Sequence, residues 1–245
     1  MVETEIQGGV ARVHLARTGK ANALSSPFLA QLRETIEELR NVDGVRVVVL
    51  AGRGRTFCAG ADVAELAGLQ ASNAGAFVEA IHKVCAAIRS LEVPVLAKLH
   101  GAVIGAGLEI AAACDLRIAA EGTRFAMPEV KLGIPSVVEA ALLPRLMGAG
   151  RAAWLVLTGE PIDARRAYEW QLVEELCPPA ALDARTEALV QSLLAADAQA
   201  LAAQKRLCQL WDEAPLAESV RHSIRLFAEC YAGGRPNTLI QGLRR

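Results

Sequence analysis

The run Val95-Leu96-Ala97-Lys98-Leu99-His100-Gly101-Ala102-Val103-Ile104-Gly105-Ala106-Gly107-Leu108-Glu109 passes from an almost wholly apolar segment, through glycines, to a glutamate just inside a new element. Four apolar residues in five over 95–99 predict a strand covered on both faces. The glycines over 101–107 predict a tight loop that opens a helix, whose first amides lack intrahelical acceptors and carry partial positive charge. Upstream the same succession occurs: Val47-Val48-Val49-Leu50-Ala51, a glycine-containing loop over 52–62, and a short helix at about 63–69. Strand, loop and helix repeated in this way predict an α/β fold in which crossover helices join parallel strands.

Outward from this pair, residues 2–7 and 10–15 flank Gly8-Gly9 and predict a hairpin. Ser26 before Pro27 predicts a helix start, and Phe28, Leu29, Leu32, Ile36 and Leu39 recur at helical spacing up to residue 40. A helix over about 74–90 precedes Pro94, and a further strand is expected over 116–120. From about residue 151 helical patterns dominate, punctuated by Pro161, Pro178-Pro179 and Pro215. The expected organisation is an α/β core over 1–180 and a helical region over 181–245.

The 245 residues are 53% hydrophobic but only 4% aromatic, so the core is built chiefly from Ala, Leu and Val. A net charge of −1 argues against nucleic-acid binding by bulk charge. No apolar run approaches the roughly 20 residues that span a bilayer, so no membrane association is expected. The start Met1-Val2-Glu3-Thr4-Glu5 lacks the basic, apolar pattern of a secretory signal, and the expected location is cytoplasmic. Six scattered cysteines form no C-x-x-C pair and read as reduced, buried small residues; the four histidines show no metal-ligand spacing, so no metal is expected.

Thr56-Phe57-Cys58-Ala59-Gly60-Ala61-Asp62 and residues 101–109 are two small-residue loops, each leading into a helix. Two such amides converging on one oxygen would stabilise an oxyanion developing from a carbonyl, each donor contributing roughly 3 kcal/mol. Tight turns and close helix packing use glycine as well. Other phosphate and nucleophile motifs fail: Ile110 stands where a dinucleotide fingerprint needs its third glycine, Ala21 follows Gly19-Lys20 where a P-loop needs Ser or Thr, and there is no G-x-S-x-G.

Asn22-Ala23-Leu24, Phe57 through Asp62, Gly101 through Glu109 with Cys114-Asp115, and Met127-Pro128-Glu129 through Gly133 occur in an order that resembles the crotonase, or enoyl-CoA hydratase/isomerase, superfamily. The resemblance spans essentially the whole chain. It implies a spiral of ββα repeats with a helical C-terminal trimerisation region, a homotrimer or dimer of trimers, and an acyl-CoA thioester as substrate, CoA being part of the substrate rather than a cofactor. Carried over by position, the amides of Ala61 and Ala106 are the oxyanion donors and Glu109 and Glu129 the acid/base pair. Lys20, Ala59, Ala61, Asp62 and Gly105 fall where substrate and CoA bind. Two glutamates point to an enoyl-CoA hydratase, because adding water requires one group to activate it and another to manage the proton at Cα. A Δ3,Δ2-enoyl-CoA isomerase working with one carboxylate and a non-catalytic acyl-CoA binder are the alternatives.

The segment Val130-Lys131-Leu132-Gly133-Ile134-Pro135-Ser136-Val137-Val138-Glu139 departs from the glycine-rich run of typical hydratases, and Glu139 reads as a helix-surface residue, with a third acidic group near the acyl pocket as the alternative. Arg17, Lys20, Arg53 and Arg55 are candidates for CoA phosphates, with solvated surface charge as the plainer reading. His100 reads as packed or hydrogen-bonded, Cys58 as a small filler and Asp115 as a structural hydrogen-bonding residue. Arg244 or Arg245 is expected to reach an adjoining CoA site.

Overall fold

The computed structural model describes residues 1–242. Its strands are β1 (Val2–Gln7), β2 (Val10–Leu15), β3 (Val47–Gly52), β4 (Val95–Leu99), β5 (Ala102–Ile104), β6 (Leu116–Ala120), β7 (Arg124–Ala126), β8 (Ile162–Asp163) and β9 (Glu175–Cys177). Helices α1 (Ser26–Glu38), α2 (Val63–Ala67), α3 (Ala74–Arg89) and α4 (Ala106–Ala113) belong to the first half. Then follow α5 (Leu143–Met147), α6 (Ala149–Thr158), α7 (Ala164–Glu169), α8 (Leu182–Ala195), α9 (Ala198–Glu213), α10 (Leu216–Cys230) and α11 (Arg235–Gly242). No described helix is long and apolar enough to cross a membrane.

A six-stranded sheet has the order β1-β2-β3-β4-β6-β9, antiparallel in the β1–β2 hairpin and parallel from β2 to β9. A three-stranded sheet, β5-β7-β8, lies beside it. The chain alternates between the two: β4 leads to β5, β6 leads to β7, and after β3 a single residue, Cys58, bridges to Val103 of β5. Strand, short strand and helix thus wind as a spiral, with the crossovers that parallel pairing demands. The loop expected over 101–107 contains β5, too short to register as a periodic segment in the sequence.

Both faces of the large sheet are buried. Helices α1, α3 and α4 cover one, burying Phe28, Leu32, Ile81, Val84, Ile88 and Leu108 in a common core. On the other, Leu182 and Val190 of α8 pack on Val10, Val47, Val49, Leu96 and Ile118. This two-sided cover is why 47–51 and 95–99 are apolar runs rather than alternating ones. Helix α4 is buried at every position, including its one charged residue, Glu109.

Helix α1 begins differently from the sequence reading. Ser25 occupies the cap position, without a side-chain capping bond, while Ser26 and Pro27 are the first two helical residues. The Ser26 amide and hydroxyl instead bond the Glu65 carboxylate of α2. Asp115 is structural, as expected: its Oδ2 accepts from Val95 N at 2.7 Å and pairs with Lys205 Nζ of α9 at 2.7 Å. On α10, Leu216, Val220, Ile224 and Phe227 form a helical stripe exposed to solvent. Arg244 and Arg245 lie outside the described residues.

Candidate active site

The first loop is held open by buried polar contacts. Asn22, fully buried with φ of 57°, donates from Nδ2 to the carbonyls of Arg53, Thr56 and Phe57. Asparagine tolerates this left-handed backbone better than most residues. Arg17 Nη1 donates to Ala23 O at 2.7 Å and to Asp62 Oδ2 at 2.6 Å, while Asp62 Oδ1 accepts from Ala64 N and caps α2. Arg17 holds the Asp62 carboxyl below the usual carboxylate range.

These contacts orient one amide. Leu24 forms a parallel bridge to Ala61, donating to Gly60 O and accepting from Asp62 N. In such a bridge the groups flanking Ala61 face Leu24, so the N–H of Ala61 itself points to the opposite side. Gly60, at φ of +93°, lies against Ile104 O, where a Cβ would stand 2.9 Å from the oxygen. Two residues beyond Ile104, Ala106 begins α4, its N–H an unsatisfied helix-terminal donor. Neither amide donates to a protein acceptor among the described residues. Gly107 packs on Cys58 so tightly that a Cβ there would lie 2.8 Å from Sγ; the size of Cys58 therefore matters, and burial pushes its thiol up to about 12.

Glu109, on the first turn of α4, is 4% exposed. Its Oε1 accepts from Ala140 N at 3.3 Å. Burial, then the charge of Glu129, then that of Glu139 push its carboxyl up to about 8, against the opposing bond from Ala140. Glu129 opens a 3-10 turn after Pro128; its Oε2 accepts from Ser136 Oγ at 2.8 Å, and its Oε1 occupies the space a Cβ on Gly105 would need. Gly105 therefore serves two ends, since its φ of +51° also suits glycine.

Ala59, Ala61, Gly105, Ala106, Glu109 and Glu129 line one cavity of about 390 Å³. Its remaining wall is apolar, with Leu66, Leu69, Phe77, Val78 and Ile81 on one side and Leu132, Ile134 and Val137 on the other. The cavity thus offers two free amides and two carboxyl groups in an apolar setting, suited to polarising a carbonyl and moving a proton near it.

Asp62 and Lys20 stand apart from this cavity. The Asp62 carboxylate is engaged by Arg17 and α2, so its side chain organises the loop, while Lys20 is exposed on the turn Thr18–Lys20. Arg53 pairs with Glu3, and His100 Nε2 is 3.1 Å from Gly54 O. Glu139 corrects the surface reading: it is 8% exposed, with Oε1 2.7 Å from His82 Nδ1. Ser136, His82 and the Ala140 amide escaped the sequence reading because contacts across separate elements leave no local pattern. Asn22 had a signal in its motif but no assigned task.

A sequence model described as Enoyl-CoA hydratase/isomerase matches residues 5–234. A short-chain-enoyl-CoA hydratase of Clostridium acetobutylicum is 32% identical over 230 residues, 93% of this chain and 88% of that protein. A crotonyl-CoA hydratase of Syntrophomonas wolfei is 35% identical over 172 residues, 69% of this chain and 66% of the relative. A crystal structure of an enoyl-CoA hydratase from Mycobacterium smegmatis superposes with a TM-score of 0.91 at 31% identity, covering 94% of this chain and 91% of that one.

Proposed function

Since the chain belongs to the enoyl-CoA hydratase/isomerase family, with the crotonase fold, we propose that it adds water to trans-2-enoyl-CoA thioesters. The observation that carries this reading is that Glu109 and Glu129 line the same cavity as the free amides of Ala61 and Ala106. The thioester oxygen lies between those amides. Water adds through its oxygen to Cβ, the π electrons move to the thioester as an enolate, and the amides stabilise the oxyanion. One carboxylate takes the proton from water while the other carboxyl group protonates Cα.

The pair works singly protonated. With Glu109 pushed up to about 8, the coupled pair retains at neutral pH the proton that Cα receives. We assign water activation mainly to Glu109 and protonation of Cα mainly to Glu129, so the reacting form is the one in which the pair's single proton has passed from Glu109 to Glu129. The scheme needs no metal or redox group, because amides and carboxyl groups supply both the polarisation and the proton transfers.

The exposed stripe on α10 supports a trimer, in which a neighbouring copy covers it. Six unpaired cysteines favour a reducing compartment, and the cytoplasm is the proposed location. Enoyl-CoA esters of varied chain length, followed by loss of the conjugated thioester absorbance, test the reaction. Hydration of a 2-enoyl-CoA sustains it. Turnover of 3-enoyl-CoA alone identifies an isomerase, and CoA binding without turnover identifies a binder.

A further inference from the structure

Between Glu129 and α5 the chain passes behind both glutamates. Ser136 Oγ donates to Glu129 Oε2 at 2.8 Å, and four residues later Ala140 N donates to Glu109 Oε1 at 3.3 Å. One short segment therefore touches both carboxyl groups. Its backbone is strained midway: Val138, a β-branched residue, has φ of +41°, a left-handed conformation that such side chains rarely adopt. Such a conformation persists only where surrounding contacts impose it.

The next residue supplies such a contact. Glu139 Oε1 lies 2.7 Å from Nδ1 of His82 on α3, and Glu139 Oε2 is buried without a hydrogen-bond partner among the described residues. A half-satisfied buried carboxylate is a poor device for stability alone. Its place between the two residues that hold Glu109 and Glu129 gives it another use.

We propose that Glu139, clamped by His82, is a positioning residue for the Glu109/Glu129 pair, fixing the 136–140 segment so that the Ser136 hydroxyl and the Ala140 amide set both carboxyl groups. The kinetic consequence rests on the hydratase reading; the geometric one does not. Glu139 need not touch substrate.

The test compares Glu139→Ala, Glu139→Gln, His82→Ala and the double alanine variant with wild type. Glu139→Ala lowers kcat about 10–100-fold, because slight misplacement of acid/base groups is costly. KM changes less than about threefold, since the lost positioning acts on the chemical step. Glu139→Gln recovers most of kcat, its amide oxygen accepting from His82. His82→Ala matches Glu139→Ala, and the double variant loses no more than either. Wild-type kcat in a folded Glu139→Ala, or a loss that Glu139→Gln leaves unrelieved, overturns the proposal. If Glu139→Ala does not fold, wild-type kcat in His82→Ala overturns it and a loss of the stated size sustains it. If wild type hydrates no enoyl-CoA, the hydratase reading fails and crystal structures of the variants decide. Loss of the bond to Glu109 or to Glu129 then sustains positioning, and retention of both overturns it.

Discussion

Gly60 lies against the carbonyl of Ile104, with room for no more than hydrogen between them: a Cβ would stand 2.9 Å from the oxygen and 4.0 Å from Ala106 N. That contact sets Ala61, the residue after Gly60, beside Ala106, the first residue of α4. The separation of the two candidate oxyanion donors thus depends on the absence of one side chain.

Gly60→Ala should therefore lower kcat about 10²-fold or more, the effect of losing one oxyanion donor. Gly122→Ala is the control, with a similar φ of +86° but nothing within 4 Å of its Cβ. Backbone strain alone would depress stability in both; only Gly60→Ala should depress turnover. Equal kcat in the two folded variants would separate this contact from catalysis.

Replacing Ala106 by Pro deletes its N–H at the first helical position, where proline is best tolerated. Hydration should fall about 10²-fold or more while helix content by circular dichroism is kept. Ala106→Gly retains the N–H and most of the activity. A folded proline variant with full kcat would remove this amide from the oxyanion site.

Glu109→Gln and Glu129→Gln should each lower hydration by about 10²–10⁴-fold with the fold intact. In wild type, kcat/KM should decline as pH rises past about 8, because the pair then loses its last proton. A flat profile from pH 7 to pH 10 would argue against single protonation.

The same carboxyl group links pH to stability. In the folded state it holds a proton up to about 8, whereas unfolded it releases one near 4.5. Between those values the native state binds more protons, so its stability falls as pH rises. Glu109→Gln removes this decline and should gain stability over wild type by roughly 1–3 kcal/mol at pH 8.5, and by little at pH 4. Urea unfolding at both pH values checks the sign.

On α10, Ile224→Asp with Phe227→Asp should turn a trimer into a folded monomer, since both side chains are more than half exposed on the stripe. Sedimentation at micromolar concentration measures it. A wild-type monomer would refute the trimer; a doubly substituted trimer would move its interface elsewhere.

The legible parts of this fold were those with long, regular patterns. Residues 47–51 and 95–99 announced strands covered on both faces, and the structure shows parallel strands buried between two helical layers. The two glycine loops were visible because they follow those strands, whereas Glu109 and Glu129 stood out through the resemblance to the crotonase superfamily. The three-stranded sheet was not, because strands of two or three residues show no period. The Asp62 carboxylate is engaged by Arg17, 45 residues away, a contact that leaves no local pattern. Glu139 read as surface because a 3-10 turn, Val138–Leu142, replaces the expected helix face and turns it toward His82. What the local pattern left out was set by very short strands and by contacts between distant segments.

The wedge of Cys58 against Gly107 gives the site its own chemical reporter. Cys58 has no exposed surface and its thiol is pushed up to about 12, so an alkylating reagent meets neither access nor thiolate while loop and helix stay joined. Modification of this one sulfur, followed by peptide mapping while exposed Cys208 labels at once, records how often the two halves of the oxyanion site part. Where reclosing outpaces alkylation, the labelling rate yields the free energy of that opening. A substrate seated between the amides should slow the clock.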